Sequence, residues 1–215
     1  MGKSYPDRTN ARGIWNVNEI SKDKILNGNW PGNFGTPGGR GMFGGGLTPT
    51  TVDTVDYITI STEGNATDFG NLQSADRYGC TGSGSTTRGL FCGGGTNSNV
   101  EDTIDYFTIA STGNATDFGN STTATVYAAG AASETRGLRL AGVNGTNVID
   151  YVTIANTGNA TDFGDLTVAR HSLGGGSNNV LAAAIGGSDV INTIDFVTIA
   201  TTGDAADFGD LTVAR

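Results

Sequence analysis

Residues 149–164 read IDYVTIANTGNATDFG, and the fold follows from how this stretch alternates and recurs. Ile149, Tyr151, Thr153 and Ala155 fall on one face of an extended chain, and Asp150, Val152 and Ile154 on the other. Both faces carry apolar residues, as a strand sandwiched between two sheets requires. The Thr-Gly-Asn-Ala that follows is turn chemistry, because Asn and Gly tolerate the left-handed backbone a tight reversal demands. Asp-Phe-Gly then opens a second strand.

The stretch is one of four. GNATDFG stands at residues 64–70, 113–119 and 158–164, and GDAADFG at 203–209, so the units repeat every 49, 45 and 45 residues. Upstream of each lie VDYITIS (55–61), IDYFTIA (104–110), IDYVTIA (149–155) and IDFVTIA (194–200). Further upstream come glycine-ended apolar runs: GMFGGG (41–46), GLFCGGG (89–95), GLRLAG (137–142) and AAAIGG (182–187). Each unit therefore predicts four short strands: one after a linker Arg, one ending in the glycines, one with Asp-Tyr and one with Asp-Phe. Units of about 45 residues with four strands are the signature of propeller blades. The expected fold is all-β, a propeller of about four blades of 45–49 residues. The first unit shows no obvious innermost strand: residues 29–36 could supply it and close a four-bladed ring, several chains could contribute blades to a larger assembly, or the sequence could be part of a longer chain with more blades.

Composition agrees. Gly accounts for 35 of 215 residues and charged residues for only 15%, which with many Thr, Val and Ile favours strands and tight turns over disorder. Residues 1–40 hold six basic and three acidic side chains, and the remainder six basic and eighteen acidic, giving the net charge of −9. An acidic body repels phosphate backbones, so nucleic acid is not an expected partner. No apolar run reaches the roughly 20 residues of a membrane helix, and MGKSYPDRTNARG has no apolar core of a signal peptide. Membrane insertion is therefore not expected.

Residues 1–37 belong to no repeat and read as a basic docking arm, ahead of a repeat domain at 38–215. Asn18 as N-cap, Glu19 in the first turn and Gly28 as a stop predict a short helix. Ile20 with Trp15 and Trp30 gives the arm an apolar side, and Arg8, Arg12, Lys22 and Lys24 its positive charge. These seven are the candidate partner-docking residues.

Catalytic chemistry is sparse. His171 is the single histidine, it aligns with Tyr78 and Tyr127 of earlier units, and its expected role is packing. One His without a Cys-x-x-Cys pair does not make a zinc or copper site. Asp-Asn-Gly turns such as residues 207–210 lack the carboxylate density of a calcium loop. No cofactor is expected. Cys80 and Cys92 flank a hairpin centred near residue 86 and read as buried thiols, with a cross-strand disulfide as the alternative. Arg40, Arg88 and Arg136 are candidates to pair with the repeated Asp. Repeated groups suit architecture, since a catalytic residue is needed once.

The order of Gly pair, Tyr and outer aromatic resembles the kelch family. The pair falls at Gly93-Gly94 and Gly186-Gly187, the Tyr position at Tyr57, Tyr106, Tyr151 and Phe196, and the outer aromatic at Phe69, Phe118, Phe163 and Phe208. Phe in place of Trp, and Ala141-Gly142 in place of a Gly pair, depart from that pattern. Gly13-Ile14-Trp15 and Gly28-Asn29-Trp30-Pro31 resemble a module of tailed-bacteriophage virion proteins, and the repeat itself resembles repeats in virion proteins of marine phages, including cyanophages. The resemblance implies a non-enzymatic virion structural protein such as a tail appendage or capsid-surface component, assembled in the host cytoplasm. It also implies contacts to other virion proteins through the arm and a homo-oligomeric state. A receptor- or carbohydrate-binding adhesin at a fibre tip is the alternative, with variable residues 73–76, 121–125 and 172–179 reading a host surface glycan. A glycan-degrading enzyme is the third reading.

Overall fold

The computed structural model describes residues 39–73, 77–96, 98–143, 146–188 and 190–215. The chain divides into two units, Met1–Pro37 and Gly38–Arg215. The expected arm helix, its seven docking residues and the candidate strand at 29–36 all lie outside the described residues.

Fifteen strands form four antiparallel sheets in chain order, with no helix among the described residues. The first blade is β1 (Arg40–Thr48), β2 (Thr50–Thr59) and β3 (Thr67–Asn71). The second is β4 (Thr81–Gly84), β5 (Arg88–Cys92), β6 (Thr103–Thr108) and β7 (Thr116–Asn120). The third is β8 (Ala129–Ala132), β9 (Arg136–Gly142), β10 (Thr146–Thr153) and β11 (Thr161–Asp165), and the fourth β12 (Gly174–Ser177), β13 (Leu181–Ile185), β14 (Thr193–Thr198) and β15 (Ala206–Asp210). Each sheet is a meander in which sequence neighbours pair. The architecture is all-β and propeller-like. The first blade has three strands among the described residues, against the four of every other blade.

The core lies between blades. Phe69, Val55, Leu72, Phe91 and Phe107 fill the first joint, and Phe118, Leu90, Ile104, Val152 and Ile154 fill the second. Phe163, Leu138, Ile149, Val197 and Ile199 belong to the third. The two faces of β10 divide as alternation predicts, with Val152 and Ile154 toward the second joint and Ile149 and Tyr151 toward the third.

Asp-Phe-Gly has a structural task that its spacing alone does not announce. In every blade the outer pairing slips at this point: Ile104 pairs with Gly119 and Asp105 with Asp117, leaving Phe118 as the extra residue of a β-bulge. The same slip leaves out Phe69, Phe163 and Phe208. A bulge re-aims the side chain it carries, and here it drives Phe69, Phe118 and Phe163 into the joints. Asp117 fixes the bend by accepting from Gly119 N–H at 3.1 Å, as Asp207 does from Gly209 at 2.9 Å.

Candidate functional site

The repeated Asp residues and their Arg partners converge on the joints between blades. Each joint begins with a backbone clasp. Gly113 N–H donates to Phe69 C=O at 2.7 Å, Ala115 N–H to Asn71 C=O at 2.8 Å, and Asn71 N–H to the Asn114 side chain at 3.2 Å. The second joint repeats this with Gly158, Ala160 and Asn159 on Phe118 and Asn120, and the third with Gly203, Ala205 and Asp204 on Phe163 and Asp165. The glycine of Asp-Phe-Gly is obligatory here. A Cβ on Gly70, Gly119 or Gly164 would land on the carbonyl of Gly113, Gly158 or Gly203.

Beneath each clasp lies a buried ion pair. Asp105, Asp150 and Asp195 are 0–2% exposed and bind Arg77, Arg139 and Arg170. Burial pushes the Asp105 carboxyl up, against the pull of Arg77, and pushes the Arg170 guanidinium down, against Asp195. Backbone donors help hold the charge, with Gln73, Thr122 and Thr167 N–H donating to Asp105, Asp150 and Asp195 at 2.8–3.2 Å. Such pairs contribute less to net stability than their geometry suggests, yet removing one partner strands a charge.

The expected pairing of Arg40, Arg88 and Arg136 with the repeated Asp does not form. Register explains it: Phe91 is opposite Asp105 and Leu90 opposite Tyr106, so Arg88 shares the face of Leu90 and Tyr106. Arg40, Arg88 and Arg136 instead stack over Tyr57, Tyr106 and Tyr151 at 4.4–4.6 Å. Each also reaches into the next blade, donating to the carbonyls of Ile109, Ile154 and Ile199 at 2.6–2.9 Å. These arginines link blades from the Tyr side.

The second joint obtains its ion pair differently. Arg77, Thr125, Arg170 and Arg215 occupy one repeated place, each offering its carbonyl to Gly46, Gly94, Gly142 or Gly187 N–H. Thr125 cannot neutralise Asp150. Arg139, directly opposite Asp150 in the β9–β10 register, does so with two bonds of 3.0 and 2.7 Å. The corresponding residues of neighbouring blades are Phe91 and Ala184. The arginine has moved from linker to strand while the pair has persisted. The sequence holds the signal: GLRLAG carries an Arg where the other units are apolar, and the preceding linker lacks one.

Other sequence candidates take modest places. Cys80 and Cys92 are free, and Cys92 pairs with Thr81, one residue away from the expected partner. Burial raises both thiols, Cys92 to about 12. His171 lies before β12 with Nδ1 3.0 Å from Ser172 Oγ. Ser172 and Tyr127 share the left-handed backbone and hydrogen-bond in series, so Tyr127 aligns with Ser172 rather than with His171. Ser121 and Thr125, expected at a display rim, are buried at 6% and 1% exposure. Among the described residues no group of three or more His, Cys, Asp or Glu is placed to hold a metal ion.

A groove of about 380 Å³ opens between the first two blades, lined by Arg40, Met42, Ser83, Ser85, Arg88 and Leu90. It runs along β4, at the place where the inner strand of one blade meets that of the next. In the later joints that place is filled by close backbone approach, Gly130 to Gly82 and Gly175 to Gly130. Both of its guanidiniums are already stacked and hydrogen-bonded, so among the described residues the groove offers no free cation. No protein-family model matches this chain, and no curated protein matches it.

Proposed function

We propose that this chain is a non-enzymatic structural component of a tailed-phage virion, anchored through its N-terminal arm and displaying an acidic stack of blades. The observation that carries this reading is where the repeated charges sit. Asp105, Asp150 and Asp195 are enclosed in the joints with arginine partners, a use that builds a rigid body rather than a reactive cleft. Fold by itself does not assign activity. The resemblance of the arm and the repeat to virion proteins supplies the context, and the arm's basic charge and two Trp suit it to a partner surface. Trp15→Ala with Trp30→Ala in the full chain tests the reading. The blades keep their thermal transition while the chain disappears from purified particles. Incorporation at the wild-type level overturns the docking role.

A further inference from the structure

Among the described residues three joints show what a blade needs on each side, and the two outer faces hold the unmatched halves of a fourth. On the fourth blade Phe208 is 67% exposed, whereas Phe69, Phe118 and Phe163 are each 2% exposed. Gly209 has nothing within 4 Å of its Cβ position. Among the described residues, the carbonyls of Phe208 and Asp210 accept no clasp, and Arg215 has no carboxylate partner. The Arg215 backbone is nevertheless held as Arg170 is, its carbonyl accepting from Gly187 N–H at 2.9 Å.

The first blade presents the reverse. Its turn residues Gly64, Asn65 and Ala66 match the clasp donors of later blades, and among the described residues they make no such bonds. Asp56 is the one repeated Asp of the four without an arginine partner there. Ile60 is 70% exposed, while its counterparts Ile154 and Ile199 are 1–2% exposed, and Phe43, counterpart of the buried Phe91, is 60% exposed.

We propose that the fourth blade of one copy docks on the first blade of a second copy, head to tail, as a fourth joint of the kind already present three times. Phe208 enters between Ile58 and Ile60 of the second copy, the Gly64-Asn65-Ala66 turn closes on Phe208 and Asp210, and Arg215 neutralises Asp56. The charges fit. Asp210 meets Asn65, an amide, where the existing third joint already tolerates Asp165 against Asp204. One link is missing, since Leu181 stands where Arg40, Arg88 and Arg136 supply a guanidinium. The same replacement leaves Phe196 bare of a cation and the face more apolar. A heterologous contact of this type closes into a ring when its rotation permits and otherwise extends into a filament. The inference does not depend on the virion reading, because a chain that assembles head to tail yet stays out of particles sinks only the latter.

Sedimentation equilibrium of the full chain over a wide concentration range tests it. The wild type forms assemblies larger than one chain. Arg215→Asp and Asp56→Arg each weaken association on the order of 100-fold, as expected for stranding one charge of an enclosed pair. The variant carrying both reversals regains it, and Leu181→Arg tightens it by adding the missing link. Far-UV dichroism shows each variant folded, since both charges lie at exposed or half-exposed positions. A single-chain mass at every concentration overturns the proposal. So does association that survives either reversal, or a double variant that stays dissociated.

Discussion

Replacing Gly119 by Ala probes the joint where the structure is most specific about distance. The added Cβ would lie 2.5 Å from the Gly158 carbonyl oxygen and 2.6 Å from its carbon. Both atoms are backbone, and Gly158 is tied to Phe118 by the 2.7 Å clasp, so neither can swing aside. Gly119 also has φ of +143°. Backbone strain at such a position costs about 1–3 kcal/mol, and forcing a methyl into packed backbone about 1–3 kcal/mol more. Gly209→Ala is the matched control, because φ is +136° there and nothing lies within 4 Å. It carries the strain without the collision. At dilute concentration, urea titration followed by dichroism should therefore show Gly119→Ala the less stable of the two by about 1–3 kcal/mol. For a chain of this size that is a further drop of roughly 2–12 °C in the melting midpoint. Equal destabilisation by the two substitutions would refute the claim that blade contact, rather than local conformation, dictates glycine here.

Other outcomes follow from the same blades. Arg139→Leu leaves Asp150 enclosed without its bidentate partner and should cost about 3–5 kcal/mol in urea titration. Adding Thr125→Arg restores the linker arginine of the neighbouring units and recovers part of that loss. Thr125→Arg alone destabilises, because two cations then crowd one carboxylate. Cys92 gives a pH signature: its folded thiol is raised from 9.0 to about 12, so the folded state keeps a proton the unfolded chain releases. Its contribution is therefore complete below pH 9 and lost as pH rises toward 12, and Cys92→Ala should flatten that decline in chemical denaturation. Thiol titration should find two free groups in denaturant, with native Cys92, enclosed and held as the protonated thiol, unreactive at pH 8.

Much of the fold is legible in the repeat. Alternation in IDYVTIA placed Val152 and Ile154 opposite Ile149 and Tyr151, and both faces are core because a blade has a neighbour on each side. The Phe bulge was not legible, since alternation cannot show that one residue of Asp-Phe-Gly is skipped by its partner strand. The pairing expected of Arg88 fails for a related reason: strand parity puts it on the Tyr106 face, away from Asp105. The exchange of Thr125 for Arg139 becomes readable once units are aligned residue by residue. The three strands of the first blade among the described residues and the exposure of Phe208 depend on contacts between units, which no single repeat contains.

The central claim is that identical clasps join the blades and that the first blade holds an unused one. Amide hydrogen exchange at Gly64, Gly113, Gly158 and Gly203, followed by NMR in dilute solution, tests it directly. Gly113, Gly158 and Gly203 should exchange only through opening of their joints, at rates far below those of free amides, while Gly64 exchanges as an exposed turn. Protection of Gly64 equal to the other three in the dilute monomer, or free exchange at any of those three, would contradict the account.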